Sequence, residues 1–417
     1  MKVKAVHFYT ALFAIVLFAQ LYLPSFKANI FLQIFMLAVF FILEKKPTIP
    51  VFLLQKTKFL IVIFLIGFIG TLFYKYSLFN TLKDIFHFIK PILGLAIGYL
   101  FYKKINSIKN FIKVIVLLGF LSAIIHLIVV FFFSKLDTVS GLREFSKDNF
   151  IEMFALFFLL FYKKFFGETL FKKQQNSNLI FLLLLLSNVL YLSRTMIVGV
   201  IIIFISIYGY SKITTKTIKI FLLIITCIGF LYAYLYSVKI DRSGNSIESF
   251  LYKVKIAPAE IFETKIDRED HKQLWDHWRG YEAKRAMALL NQNPHFYLIG
   301  AGYGSLVNLK FFAPLTDNPR KDKGLKYISE LHNGIPYILY KTGFIGLIIY
   351  LLFLINLYKL IYKKFTFETV FISAIGLFYL FSTITITGIY NTKDGIIFIL
   401  GSLLYFYHSK SKALQHD

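Results

Sequence analysis

Twelve apolar blocks, separated mostly by short lysine-rich gaps, dominate the 417-residue chain. The blocks are roughly 16–24 residues long, which is close to the length that a helix needs to cross a bilayer. Only 17% of the residues are charged and 57% are hydrophobic, so the chain has too little polar surface for a water-soluble protein. The sequence therefore predicts an all-α, polytopic membrane protein. The predicted transmembrane helices are residues 5–23, 28–43, 58–74, 84–102, 111–133, 149–166, 178–192, 195–210, 217–237, 335–358, 366–387 and 394–408.

The distribution of cations predicts how these spans are oriented. If the N-terminus is cytoplasmic, the inner gaps hold 22 Lys and Arg residues and the short outer gaps hold 8. Cytoplasmic loops carry such an excess, so we expect both termini in the cytoplasm. The alternation requires Arg194 to cap a tight outward hairpin. The net charge of +25 thus reflects topology, and we expect a lipid bilayer and no nucleic acid as partner.

One gap, residues 238–334, is 97 residues long and is predicted to lie on the outer side of the membrane. It holds 12 of the 22 acidic residues and both tryptophans, a composition typical of a folded cap rather than a flexible tether. The chain then divides into residues 1–237 with nine spans, the cap, and residues 335–417 with three spans and a short cytoplasmic tail. Within the cap, the apolar periodicity of residues 272–293 predicts one helix that ends before Pro294.

Two arginines are candidates for binding an anion on the outer side. Arg194, between spans seven and eight, could bind a phosphate in bidentate fashion or reach towards lipid headgroups. Arg279 lies on the predicted cap helix, where it could bind a second phosphate with Glu282 holding it from position i+3. An exposed ion pair of little energetic value is the alternative for Arg279. Arg285, on the same helix, is a rival for the role.

The exit of the cap carries a glycine-rich turn and a histidine. In Gly300-Ala-Gly-Tyr-Gly-Ser305, backbone N–H groups near Gly302 and Gly304 could approach an anion, although such a segment is more often simply a turn. His332 precedes span ten, where the helix dipole favours a neutral ring that can accept a proton. Glu330 would favour the charged ring, so the direction of the pKa shift is undetermined by sequence. A capping role for His332 is the alternative.

Metal chemistry is not expected. The histidines are scattered, the single cysteine lies in an apolar block, and no pair of acidic residues has metal-ligand spacing in the outer gaps. We therefore predict neither a metal nor a cofactor.

Several motifs, taken in chain order, resemble the O-antigen ligase and polymerase superfamily of bacterial envelope glycosyltransferases. They are Gly141-Leu-Arg-Glu-Phe145 with Asp148-Asn149-Phe150, Ser193-Arg194-Thr195, Trp278-Arg-Gly-Tyr-Glu282 with Pro294 and Gly300–Gly304, and His332-Asn333-Gly334 with Gly343-Phe-Ile-Gly346. Ser146 and Asp148 depart from the Gly and Pro common in that family, which weakens the match at Arg143. The plan of about twelve spans and one long late loop is also similar. It implies a GT-C-like enzyme in the inner membrane of a bacterium, with residues 238–334 as a periplasmic loop.

The resemblance implies metal-independent, inverting transfer of a glycan from undecaprenyl pyrophosphate to an acceptor hydroxyl. His332 would be the catalytic base or a further pyrophosphate contact, and Arg194 with Arg279 would bind the pyrophosphate. Supporting roles are implied for Glu282, Glu330, Asn333, Arg143, Arg285, Gly302 and Gly304. We expect a polysaccharide polymerase whose acceptor is a glycan; ligation to lipid A-core, the activity of an O-antigen ligase in lipopolysaccharide synthesis, is the alternative with the same motifs.

Two hypotheses from other functional classes remain, a transporter and a receptor. A lipid-linked oligosaccharide flippase or another transporter needs a polar central pathway and usually has two similar halves. Here the main midspan ionisable residues are only Lys90, His126 and Glu152, and one half alone carries the long loop. A receptor whose cap merely binds a ligand would not require His332.

Overall fold

A computed structural model describes residues 5–44, 48–133, 149–242, 245–268, 270–314 and 324–416. These residues are predominantly helical. The helices are α1 (Ala5–Tyr22), α2 (Phe26–Leu43), α3 (Val51–Leu72), α4 (Leu78–Ile105), α5 (Ile108–Phe132), α6 (Phe150–Phe166), α7 (Gln174–Leu190), α8 (Arg194–Ile207), α9 (Thr215–Ser237), α10 (Ser246–Lys255), α11 (Ala257–Phe262), α12 (His271–Asp276), α13 (Trp278–Leu290), α14 (His295–Ile299), α15 (Gly334–Tyr358), α16 (Phe367–Thr385) and α17 (Ile396–His416). The strands are β1 (Val307–Ala313) and β2 (Leu325–Ile328).

A helix coincides with each of the twelve predicted spans, namely α1 to α9 and α15 to α17. Within the described ranges, eight of these helices are long and apolar enough to cross a membrane: α1 to α5, α9, α15 and α16. Helices α6 and α7 have 17 residues each and α8 has 14. A multi-pass membrane protein is therefore confirmed, whereas the count of twelve spans stays a prediction.

The loops between the membrane helices form two groups. On one side they contact the cap or each other: Tyr74 with His295, Lys83 with Glu330, Arg194 with Glu260, and Gln20 with Thr392. On the other side the contacts are Glu44 with Lys104, Lys109 with Glu168, Ile213 with Tyr362, and Glu368 with Lys410. This grouping agrees with the alternation that the cations predict. The assignment of the cap side to the periplasm stays a prediction.

The glycine-rich turn anchors the cap to the membrane helices. Gly300, Gly302 and Gly304 all have φ between 79° and 89°, and a Cβ on Gly302 would lie 2.2 Å from the amide nitrogen of Thr71 in α3. The N–H groups of residues 300–304 donate to protein acceptors: Phe296 O, Tyr340 O, Lys341 O, Gly67 O with Thr71 Oγ1, and Asp84 Oδ2. These N–H groups are thus committed to the fold and are not available to an anion.

A buried ion pair reinforces this anchor. Asp84 of α4 and Lys341 of α15 contact each other, and both side chains are fully buried. Asp84 also accepts the Gly304 N–H at 2.7 Å, while Lys341 donates to the Ser305 carbonyl oxygen at 2.7 Å. Because a buried charge without its partner costs several kcal/mol, the pair holds α4, α15 and the turn in one arrangement.

The part of the cap from α12 to β2 forms a second small core. Leu274, Trp278, Tyr281, Leu309 and Ala313 pack together between α12, α13 and the β hairpin. The strands pair antiparallel, with Val307 opposite Ile328. The all-α expectation missed this hairpin because β1 is short and its four-residue partner is half-exposed, so the pairing is decided by tertiary contacts.

The single helix predicted at residues 272–293 is also corrected. It is divided into α12 and α13 at His277, whose φ of −110° and ψ of 11° interrupt the helix. The break lets Asp276 pair with Arg242 at 2.8 Å, while Trp278 turns into the cap core and donates its indole N–H to Glu282. Sequence periodicity does not register a one-residue break of this kind.

Candidate active site

Arg194 and Arg279, which are 85 positions apart in the sequence, meet at one carboxylate. Ser193 caps α8, so Arg194 is the first helical residue after a tight turn in which Leu192 has a φ of 43°. Its Nη2 lies 3.1 and 3.0 Å from the two carboxylate oxygens of Glu260 in α11. Arg279 Nη1 donates to Glu260 Oε2 at 2.6 Å. The membrane-side arginine and the cap arginine are thereby brought together, as the sequence predicts.

A polar cavity of about 310 Å³ lies beside this cluster. Four cationic residues line it, together with two carboxylates, aromatic side chains and His332: Arg194, Arg242, Lys253, Arg279, Glu260, Asp276, Phe250, Trp275, Trp278 and His332. Arg194 and Arg279 keep about a quarter of their side-chain surface exposed. The excess of cations and the exposed guanidinium groups make the cavity suited to an anion with several oxygens.

His332 is held by Glu282, which is 1% exposed. The backbone N–H of His332 donates to Glu282 Oε2 at 2.9 Å, and Nδ1 lies 3.0 and 3.1 Å from the two carboxylate oxygens. A carboxylate can only accept, so Nδ1 carries the hydrogen and Nε2 of the neutral ring carries the lone pair. The side chain of His332 remains 61% exposed. The pair is therefore an oriented imidazole with a free acceptor nitrogen.

The electrostatic surroundings decide the pKa of His332. Desolvation of the ring by the surrounding protein lowers this pKa, but the hydrogen bond that Nδ1 donates to Glu282 and the negative charge of Glu282 raise it by more, so the net pKa lies above the usual value of 6.5. Arg279 works in the opposite direction and Glu330 adds to the rise. From sequence, the helix dipole and Glu330 were the two opposing influences on the pKa of His332. In the structure Glu282, from another helix, gives the shift its upward direction.

The remaining candidates have structural tasks or lie elsewhere. Asn333 caps α15 by accepting the Ile335 N–H at 3.1 Å. Arg285 donates to the Asn308 carbonyl oxygen at 2.7 Å and braces β1, so Arg279 is the arginine of α13 that lines the cavity. Glu330 pairs with Lys83 and His87 of α4. Arg143 lies outside the described residues.

An apolar groove of about 390 Å³ adjoins the polar cavity. The two share Arg194, Phe250, Glu260 and Arg279, and the groove continues between α8, α9, α10, α11 and α16. Its lining includes Ile197, Val198, Tyr232, Val254, Ile261 and Phe381. Helix α9 has Leu235 as its buried residue, so this side of the groove borders the bilayer. The apolar groove thus adjoins the polar cavity, which we call the arginine chamber.

The segment that carries these features matches a known family. Residues 179–351, which include Arg194, Arg279 and His332, match the family model described as O-antigen ligase. The resemblance to the O-antigen ligase and polymerase superfamily is confirmed. The match supports an enzyme of the general O-antigen ligase or polymerase type in a membrane. None of the curated proteins compared matches the chain.

Glu260 is the residue that sequence reasoning missed. It lies 66 positions from Arg194 and 19 from Arg279, so no local spacing connects it to either residue. An acidic residue in a short helix led by Pro258 gave no signal of its role. Among the residues that the structure describes, no group of three or more His, Cys, Asp or Glu residues is placed to hold a metal.

Proposed function

We propose that this chain is a glycosyltransferase that moves a glycan from undecaprenyl pyrophosphate to a sugar hydroxyl and so polymerises a surface polysaccharide. The observation that carries the proposal is the convergence of Arg194, Arg279 and the His332–Glu282 pair on one cavity. Anion-binding groups and an oriented base are the two components that such a transfer requires.

The arginine pair would bind the pyrophosphate of the donor. Glu260, 10% exposed, now serves as the counter-ion of both guanidinium groups. A pyrophosphate offers more oxygens and more negative charge than one carboxylate, so it can replace Glu260 on Arg194 and Arg279. As the bond to the sugar breaks, charge grows on the leaving pyrophosphate, and the guanidinium groups stabilise it without a metal.

The apolar groove would hold the polyprenyl chain. It begins at the arginines and runs beside α8 and α16 towards the bilayer. A lipid lying there places its pyrophosphate at Arg194, at the boundary between groove and chamber. The sugar attached to that pyrophosphate then extends into the chamber that His332 lines.

The reaction is a single displacement at the anomeric carbon. The acceptor hydroxyl gives its proton to Nε2 of neutral His332 while its oxygen forms the new bond to that carbon. The bond from the carbon to the pyrophosphate oxygen breaks, and the electron pair leaves with the undecaprenyl pyrophosphate. Attack from the side opposite the leaving group inverts the configuration. Glu282 fixes the tautomer of His332 and stabilises the imidazolium that forms.

A transporter is less consistent with the helix core. The midspan ionisable groups that a pathway would use are occupied by local structure: Lys90 donates to the Asn391 and Asp394 carbonyl oxygens, and Glu152 accepts from Ser187 and Tyr191. His126 contacts Ser187 at 2.8 Å. These groups bind helices together, whereas the exposed polar groups lie in the arginine chamber beside the cap.

Complementation tests the site. In a strain deleted for this gene, His332→Ala, Arg194→Ala and Arg279→Ala are expected to abolish long surface glycan while the protein inserts in normal amounts. Arg268→Ala removes a cap arginine that lies over Phe311, 4.9 Å from its ring centroid, and is the matched control with wild-type glycan. Full-length glycan from all three site variants would overturn the assignment.

Reconstitution then separates polymerase from ligase. Purified protein in vesicles receives lipid-linked donor extracted from the deletion strain, with or without lipid A-core. We expect glycan of increasing length from the donor alone. Transfer that occurs only when lipid A-core is present would show a ligase instead.

A further inference from the structure

A second set of cavities lies next to His332, away from the arginines. One, of about 220 Å³, is lined by His332 together with His87, Glu330, Tyr337, Tyr390 and Thr392. It shares His87, Glu330 and Thr392 with an outer cavity of about 370 Å³, which also includes Phe26 and Lys83. His332 is the residue common to the arginine chamber and the 220 Å³ cavity. The imidazole therefore stands between two chambers.

The centre of this second region is a charged cluster that the proposed reaction has not used. Glu330 Oε1 lies 2.7 Å from Lys83 Nζ and 3.0 Å from His87 Nε2. Burial raises the pKa of Glu330, but the contacts with His87 and Lys83 lower it by more, to about 2. Glu330 is thus an anion near neutral pH, and about a third of its side chain is exposed to the cavity.

The walls around the cluster are fixed by buried contacts. Lys90 binds the loop between α16 and α17 through the carbonyl oxygens of Asn391 and Asp394 at 2.7 and 2.9 Å, and Gln20 binds the Thr392 carbonyl oxygen at 2.7 Å. The ring of Phe26 lies 4.3 Å from that of His87. Four separate chain segments are therefore held in place around one opening, as expected of a binding site.

We propose that these two cavities are the acceptor subsite, in which Glu330 and the wall near Thr392 bind the terminal sugar of the acceptor glycan. This inference rests on the proposed function. In an inverting displacement, nucleophile and leaving group lie on opposite sides of the anomeric carbon. The leaving group belongs at Arg194 and Arg279, so the attacking hydroxyl enters from the chamber on the other side of His332.

The chemistry of the lining fits a saccharide. A carboxylate accepts hydrogen bonds from sugar hydroxyls, the aromatic rings of Phe26 and Phe86 offer flat apolar surfaces, and Lys27 and Lys83 favour an acceptor that carries a phosphate or another acidic group. Both a lipid-pyrophosphate-linked glycan and phosphorylated lipid A-core share this chemistry.

Photo-crosslinking tests the subsite independently of turnover. Phe26 is replaced by p-azidophenylalanine in full-length protein that carries His332→Ala, and membranes containing the cell's own glycan lipids are illuminated. Phe35, on the same helix α2 and 60% exposed, is the control position. Trp275 of the arginine chamber is substituted in the same way to report the donor.

We expect glycan-bearing adducts at Phe26 and Trp275 but not at Phe35. Glu330→Gln should reduce capture at Phe26 about tenfold, because it replaces a charged acceptor, and Thr392→Trp should block capture by filling the cavity; neither should change capture at Trp275. Mass spectrometry of the adduct distinguishes polyprenyl pyrophosphate from lipid A.

The outcomes separate the two proposals. Adducts at Trp275 without any at Phe26, or capture at Phe26 that is unaffected by both substitutions, would overturn the acceptor subsite and leave the proposed function standing. Absence of adducts at both positions, with long glycan still made by the His332→Ala protein, would overturn the proposed function and the subsite with it.

Discussion

Replacing Glu282 by Gln tests the proposed base more specifically than removing His332. The substitution keeps the shape of the side chain but replaces one of the carboxylate oxygens, which lie 3.0 and 3.1 Å from Nδ1, with an NH2 group. If the remaining carbonyl oxygen keeps its bond with Trp278, the NH2 group faces the N–H of His332 and Nδ1. Nδ1 then lies 3.0 Å from the retained carbonyl oxygen and 3.1 Å from the NH2 group. The substitution removes the negative charge that stabilises the imidazolium, and a ring that accepts from the NH2 group carries its hydrogen on Nε2, where the proposed mechanism needs a lone pair.

The expected loss follows from these contacts. A positioned general base contributes about 10²–10⁴ in rate, so we expect Glu282→Gln to reduce the rate of transfer about 10²–10³-fold with the donor KM little changed. The backbone N–H of His332, which donates to Glu282 at 2.9 Å, would lose its acceptor at a cost of about 1–3 kcal/mol in stability. Transfer in vesicles and thermal unfolding measure the two effects.

The pH profile gives the sign of the effect. The neutral ring is the base, so wild-type transfer should rise with pH through the raised pKa of His332 and then level off. Without the charge of Glu282, burial and Arg279 lower that pKa, so residual transfer in the variant should reach its plateau at a lower pH. Glu263→Gln, an exposed carboxylate elsewhere in the cap, is the control. If the pH profile of the Glu282→Gln protein keeps the wild-type inflection and its rate falls less than about tenfold, the role of this pair is refuted.

Three further outcomes are expected. Glu260→Gln should lower the donor KM severalfold, because Arg194 and Arg279 lose a competing anion; a raised KM in the vesicle assay would contradict that competition. Gly302→Ala should strongly reduce the amount of folded protein, seen by detergent size-exclusion chromatography, because its Cβ would lie 2.2 Å from Thr71 N at a φ of 79°; normal yield would show that the turn can shift. Transfer should persist in excess chelator, and loss that is restored by a divalent cation would refute metal independence.

The membrane character and the main site candidates could be predicted from sequence, because both depend on properties of single segments or residues. A membrane-spanning helix satisfies its own backbone hydrogen bonds, so an apolar block marks it regardless of its neighbours. Charged residues are costly inside the hydrocarbon core of a bilayer, so Arg194 stood out against its apolar surroundings. The break between α7 and α8 followed from the requirement that cations alternate between the two sides, and the structure has it at residues 191–193.

The working of the site could be predicted less well from sequence, because the contacts that decide it join residues far apart in the chain. Glu282 was a candidate support for Arg279 on the same helix; the structure shows it 50 residues from His332 in sequence but in contact with its ring and its N–H. The N–H groups of the glycine turn looked available until α3, α4 and α15 were seen to occupy them.

The sequence by itself determined which segments are apolar enough for a membrane and which charged residues stand out at their ends. The free energy of placing a segment in the bilayer depends on its residue types and its length, and both can be read along the chain. The tertiary structure alone decided that Glu260 joins Arg194 to Arg279, that Glu282 raises the pKa of His332, and that His332 lies between two cavities. The physical reason is that hydrogen bonds and ion pairs act over about 3 Å in space, a distance that separation along the chain does not encode.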